Sequence, residues 1–279
     1  MKKKLLFGLC GALALGMLVP LAGCGSGFQK YENEVTAEEF VEEFENVVAT
    51  LGYDEAESFD KDYTLKVVMK EAATTTYTYK SEVVLTEKSE DTMETTVEYD
   101  KDNKAIYSKV TDKTSYKSPT DVSSSENKEE GYAYMDGEDV YSFDPQSKMY
   151  YVYEGSEITD EMDYNLEMVY EIVYQAIEWY ADNENAKCYF DNDSVFTLVI
   201  KSETEEGDYK KTTEEEIYQF VLTENVFSCN YKATFIEEDN DEDAAYTSKT
   251  ERVMETSMNI EFKNVSVNKQ DTAKYTKGN

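Results

Sequence analysis

Tyr63-Thr64-Leu65-Lys66-Val67-Val68-Met69-Lys70 decides the fold class. Tyr63, Leu65, Val67 and Met69 alternate with Thr64, Lys66, Val68 and Lys70. A pleated strand sends successive side chains to opposite faces, so this spacing predicts a half-buried strand. The pattern recurs downstream. Tyr77 to Leu85, Met93 to Tyr99 and Ala105 to Val110 are rich in Thr, Tyr and Val, and Asp100-Lys101-Asp102-Asn103-Lys104 makes a turn cluster between two of them. An antiparallel meander is the simplest topology for such a run.

Further along, Lys117 to Glu130 holds Ser118-Pro119, Ser123-Ser124-Ser125 and several charges without periodicity, which predicts a mobile loop. Strands resume at Tyr132, Tyr134 and Val140 to Phe143, with Asp136-Gly137 as a hairpin turn and Asp144-Pro145 before Met149 to Tyr153. Cys188 to Phe190, Val195 to Ser202, Glu215 to Leu222, Phe227 to Glu237 and Thr250 to Val267 form a second strand set, and Gln270 to Asn279 reads as a frayed tail.

Two stretches switch to helical spacing. Thr36 and Glu39 form a capping-box pattern ahead of Phe40, Val41, Phe44, Val47, Val48 and Leu51, and Gly52 is placed to end the helix. Its other faces carry Glu38, Glu39, Glu42, Glu43 and Glu45. An interfacial membrane helix wants basic residues there, so packing on the protein's own sheet is expected instead. A second helix, from about Thr159 to Asp182, is apolar on more than one face, which predicts that it is enclosed.

Strands in number around an enclosed helix resemble the half-barrel architecture of LolA-like and LppX-like lipoproteins. The expected class is therefore α+β: a large curved antiparallel sheet, half-barrel-like, wrapped around one or two helices. The resemblance implies a concave sheet able to accept an acyl chain or another apolar ligand, with Met162, Leu166, Tyr170, Val173, Ile177 and Trp179 as cavity-lining candidates.

Composition narrows the chemistry. Sixty acidic against 27 basic residues give a net charge of −33, which repels phosphate backbones and makes nucleic acid a poor partner. Arg252 is the single arginine, so bidentate phosphate clamps are missing. Histidine is absent, which excludes Ser-His-Asp and Cys-His catalysis and histidine-ligated zinc. No motif singles out two carboxylates for acid–base work, so no catalytic residue and no cofactor is assigned. Asp239-Asn240-Asp241-Glu242-Asp243 offers oxygen ligands, but Ala244 and Thr250 fall where a calcium loop needs Gly and Glu; a solvated turn is expected.

The N-terminus supplies an address. Met1-Lys2-Lys3-Lys4 followed by an apolar run from Leu5 to Leu18 is a secretory signal pattern, too short to span a bilayer. Leu21-Ala22-Gly23-Cys24 resembles the lipobox of bacterial lipoproteins in full. That resemblance implies cleavage before Cys24 and a thioether-linked diacylglycerol on its sulfur, the anchor to the bilayer on the extracytoplasmic face of the cell membrane. Two acyl chains hold firmly where one holds marginally. The expected organisation is a signal over 1–23, lipidated Cys24 and a flexible tether over 24–34, one β-rich domain over 35–268 and a disordered tail over 269–279. With Cys10 discarded and Cys24 lipidated, Cys188 and Cys229 remain, either as a disulfide or as two buried thiols.

Two functions follow as expectations. One is a non-catalytic, membrane-anchored protein that binds a lipidic or other small apolar ligand. The alternative is an acidic surface protein that contacts another protein or a glycan without a ligand pocket.

Overall fold

The computed structural model describes residues 28–53, 62–100, 103–154, 183–191, 194–206, 210–240 and 246–278, together with 173, 174, 177, 180 and 181. Its strands are β1 (Glu34–Val35), β2 (Tyr63–Tyr79), β3 (Glu82–Asp100), β4 (Asn103–Lys117), β5 (Val122–Asp136), β6 (Asp139–Asp144), β7 (Met149–Tyr153), β8 (Ala186–Asp191), β9 (Val195–Glu206), β10 (Lys210–Thr223), β11 (Val226–Asp239), β12 (Thr247–Phe262) and β13 (Thr276–Lys277). They form one 13-stranded sheet in the order β1-β8-β9-β10-β11-β12-β2-β3-β4-β5-β6-β7-β13. Every pairing is antiparallel except the terminal β13–β7 pair.

This overturns the expected α+β class. The two strand sets do not flank a central helix; β12 pairs with β2 along their whole length and fuses them into one sheet. One complete helix, α1 (Ala37–Leu51), is described, and it approaches β8 and β10 at one flank. With α-helical residues confined to α1 and to 173, 174, 177, 180 and 181 among those described, such a sheet makes the described chain a β protein. The helix itself forms as its spacing predicts. Thr36 Oγ1 accepts from the Glu39 amide (3.2 Å), Glu39 Oε2 accepts from the Thr36 amide (3.0 Å), and Gly52 closes the end at φ 69°, where a side chain would be strained. Phe40 and Phe44 are fully buried and meet Phe196 edge-on at 5.7 and 5.3 Å. Burial of each ring contributes about 1.5–3 kcal/mol.

The sheet has two halves along the strands. In the inner half, Leu65, Val97, Ile106, Phe220, Phe227 and Ile260 point to the front face and build the main core with α1. In the outer half the same strands run on with little apolar cover: Val122 to Glu130 are exposed residue after residue. That stretch corrects the predicted loop over Lys117–Glu130. It is strand, paired through Lys117↔Val122 to Val110↔Glu129, and the reversal is the short turn in which Ser118 N–H donates to Asp121 O at 2.8 Å. With neither face buried, nothing in the sequence needed to alternate.

Both ends of the described chain are stitched to the back face. At one flank Gln219, fully buried, donates from Nε2 to Gln29 O (3.0 Å) and Thr197 Oγ1 (2.9 Å), and its Oε1 accepts from Gln29 N–H (2.7 Å). Asp191 accepts from the Glu32 and Asn33 amides, and Tyr31 packs on Tyr189 at 5.0 Å. Residues 29–34 of the expected flexible tether are therefore docked. At the other flank the expected disordered tail 269–279 is ordered over its described residues. Thr272–Lys274 form a 3-10 turn, Tyr275 packs edge-on against Phe143 at 4.9 Å, and the Thr276 amide donates to Lys148 O. The tail covers a second apolar cluster of Ala105, Tyr132, Tyr134 and Phe143, which would otherwise face water.

Candidate functional site

The outer half sets polar residues in register across the front face. Glu71 lies opposite Asp91, and Asp91 opposite Asp112, so three carboxylates stand side by side on β2, β3 and β4. Partial burial raises the Asp91 pKa, with the Asp112 and Glu71 charges adding to it. Arg252 Nε pairs with Glu71 at 3.2 Å. Toward β10 the band continues in Glu214, likewise raised by burial and then by Glu216. Glu216 Oε2 accepts from Tyr218 Oη (2.7 Å) and Tyr231 Oη (2.8 Å) at the margin of the core, and burial, then Glu216, pushes both phenols far up.

Beyond this band lies an open trough of about 490 Å³. Thr75, Glu87, Ser89, Thr114, Tyr116 and Ser125 contribute to its lining, and hydroxyl pairs knit it together: Thr75 to Thr250 at 3.1 Å and Thr114 to Ser125 at 2.6 Å. Such a surface offers donors and acceptors in rows, one aromatic edge and one carboxylate. It suits a hydroxyl-bearing ligand rather than a hydrocarbon chain. A second groove of about 270 Å³ lies on the back face between Glu98, Tyr107, Tyr132 and Asn268, where the Asn268 amide donates to Glu98 and Tyr132 Oη donates to Asn268 O. Among the described residues, no group of three or more Cys, Asp or Glu is placed to hold a metal ion.

Of the cavity-lining candidates, Val173 and Ile177 are buried within the main core, at 1% and 2% exposure. Both belong to the same buried apolar cluster as Phe196 and Phe220. Met162, Leu166, Tyr170 and Trp179 lie outside the described residues, as do Cys24 and the Asp241–Asp243 part of the acidic run. The disulfide alternative for Cys188 and Cys229 is corrected: both are buried and they are not bridged to each other. Their strands, β8 and β11, are separated by β9 and β10, three spacings or about 14 Å of sheet, whereas a bridge needs Cα atoms within about 7 Å. Burial pushes the Cys229 thiol up to about 12, so it is an inert core residue.

The residues that sequence reasoning missed are Gln219 and the front-face row. Gln219 had a signal: it is the one amide in the run Ile217-Tyr218-Gln219-Phe220-Val221-Leu222. The row had none, because register joins Glu71, Asp91 and Asp112 across three strands.

No known protein family matches the chain, and no curated protein matches it. Among solved structures, Ail, the attachment invasion locus protein of Yersinia pestis in complex with the heparin analogue sucrose octasulfate, is similar at 5% identity over 70% of this chain and 98% of that one, with a TM-score of 0.16. The translocator domain of the autotransporter NalP from Neisseria meningitidis is similar at 7% identity over 77% and 96%, with a TM-score of 0.12. At these TM-scores the weak likeness carries no inference about this chain. The LolA-like and LppX-like half-barrel expectation is overturned by the fold itself: the described chain is a β protein built on one 13-stranded sheet. Among the described residues no helix is long and apolar enough to cross a membrane, which says nothing of strands.

Proposed function

We propose that this is an extracytoplasmic interaction protein, anchored to the bilayer by a diacylglyceryl group on Cys24, that presents the outer half of its sheet to a hydroxyl-rich partner such as a cell-surface glycan. The support for the anchor is the signal-like N-terminus ending in Leu21-Ala22-Gly23-Cys24. The support for the presented surface is the front-face trough. Strands that continue past their core gain little from apolar burial to offset the ordering of their backbone, so the outer half is better explained as a working surface than as a stabilising one. Carriage of an acyl chain is less well supported, because the trough is lined by hydroxyls and Val173 and Ile177 are packed.

Calorimetric titration of the full chain with a panel of neutral oligosaccharides tests the surface. Binding is expected to weaken about fivefold in Tyr116→Ala, the loss of roughly 1 kcal/mol of ring stacking. Silence across the panel, together with a lipid-sized adduct in native mass spectrometry, would overturn the reading. Mass spectrometry of the N-terminal peptide tests the anchor: the diacylglyceryl mass is expected on Cys24, and Cys24→Ala should leave the membrane fraction or persist unprocessed.

A further inference from the structure

We infer that the back face of the sheet is the surface this protein turns toward its bilayer. The inference rests on the reading of Cys24 as the anchor, and it follows from where the tether is pinned. Gln29 is held to the back of β10 through both its amide N–H and its carbonyl by the buried Gln219 side chain. Five residue steps separate Cys24 from Gln29, and a chain extends by at most about 3.3–3.6 Å per residue, so the anchor lies within about 18 Å of that point.

The front face is out of reach. Around the flank, the chain would cross β9, β8 and β1, about 14 Å, and then the roughly 10 Å thickness of a sheet layer. Over the strand ends, Gln219 is four residues short of Thr223, about 13 Å, with the same thickness still to pass. Either route exceeds the tether, and α1 adds about another 10 Å on the front side.

Charge selects the same face independently. Lys66, Lys70, Lys187, Lys201, Lys211 and Lys232 all project from the back by strand parity, whereas Lys104 and Lys210 are the lysines of β2–β12 that project from the front. The back-face lysines are interleaved with carboxylates in pairs such as Lys201–Glu215, Lys211–Glu203 and Lys232–Glu255. The front face beyond the core carries Glu71, Asp91, Asp112, Glu214 and Glu216, with Arg252 and Lys210 in partial compensation. An anionic headgroup surface repels the predominantly acidic front more strongly than the back, where lysines and carboxylates are interleaved. The trough on the front is thereby left facing outward.

The test uses the full chain, lipidated on Cys24 and reconstituted in vesicles of phosphatidylcholine and phosphatidylglycerol doped with a headgroup nitroxide lipid. A fluorophore is attached at Lys232→Cys on the back face, Glu214→Cys on the front, or Asn225→Cys at the strand ends; Cys188 and Cys229 are buried. Quenching is expected at position 232 and not at 214 or 225. It should be lost in Gln219→Ala, and also when about a dozen Gly/Ser residues inserted between Ser26 and Gly27 lengthen the tether without touching the fold. Equal quenching at all three positions, or strongest quenching at 214 or 225, overturns the orientation while the anchor stands. Absence of the acyl mass on Cys24 in the same preparation overturns both.

Discussion

At Asp91 the sheet places like charges where pairing rules disfavour them, with Glu71 on one side and Asp112 on the other. Directly opposed like charges destabilise a strand pair by a fraction of a kcal/mol, so Asp91→Asn should stabilise the protein by about 0.5 kcal/mol at pH 7. Because burial and its neighbours raise the Asp91 pKa, the folded state holds a proton more tightly than the unfolded state. Stability therefore falls as pH rises above the ordinary aspartate value of 3.8, and the advantage of Asn should vanish below it. Urea unfolding of both proteins at pH 7 and pH 3 checks this; an equal gain at both would assign the effect to something other than charge. Thr95 is a different kind of local cost. It is 1% exposed and its Oγ1 has no hydrogen-bond partner among the described residues. Thr95→Val keeps the shape and removes the unsatisfied group, so the urea midpoint should rise, by about 1 kcal/mol in stability.

At the scale of elements, α1 depends on a reciprocal cap, and Thr36→Ala should cost about 1 kcal/mol in urea unfolding because it leaves the Glu39 amide without its acceptor. β13 depends on a close approach instead. A Cβ at Gly278 would overlap the Tyr151 ring, while the Gly278 amide donates to Tyr150 O at 2.7 Å. Gly278→Ala should therefore undock the tail, and faster tryptic cleavage at Lys274 and Lys277 in the folded protein would report it. These two elements also mark what could be read from sequence. The capping box and the spacing of Phe40, Phe44 and Val48 announce α1 because a helix and its cap are local. β13 is two residues, Thr276 and Lys277, with no pattern of their own, held by contacts made far along the chain. β5 was illegible for another reason: alternation reports burial of one face, and Ser123 to Glu130 bury neither. The candidate site shares that blindness, since Thr75, Ser89 and Thr114 become a trough only once the register of β2, β3 and β4 is set.

On the scale of the whole molecule, the division of the sheet across its strands predicts how it opens. Amides at Val97, Phe220 and Ile260 sit over the main core, whereas those at Ser89, Lys113 and Ser248 belong to the same strands or their neighbours in the outer half, where exposed ion pairs such as Lys113–Glu90 contribute little. Free energies of local opening follow buried apolar contact, not strand membership. Native-state hydrogen exchange should thus show a gradient along each long strand, with outer amides exchanging through local opening and inner ones only through global unfolding. The outer edges make the contrast sharper, because β6 covers β5 only from Tyr132 and β8 covers β9 only to Ile200. Uniform protection from Ser89 to Val97 would show that the outer strands are held by something beyond their ladder. A ligand seated in the trough should then raise protection at Ser89, Thr114 and Ser125 while leaving Val97 and Ile260 unchanged, since only opening that breaks the bound surface is coupled to binding.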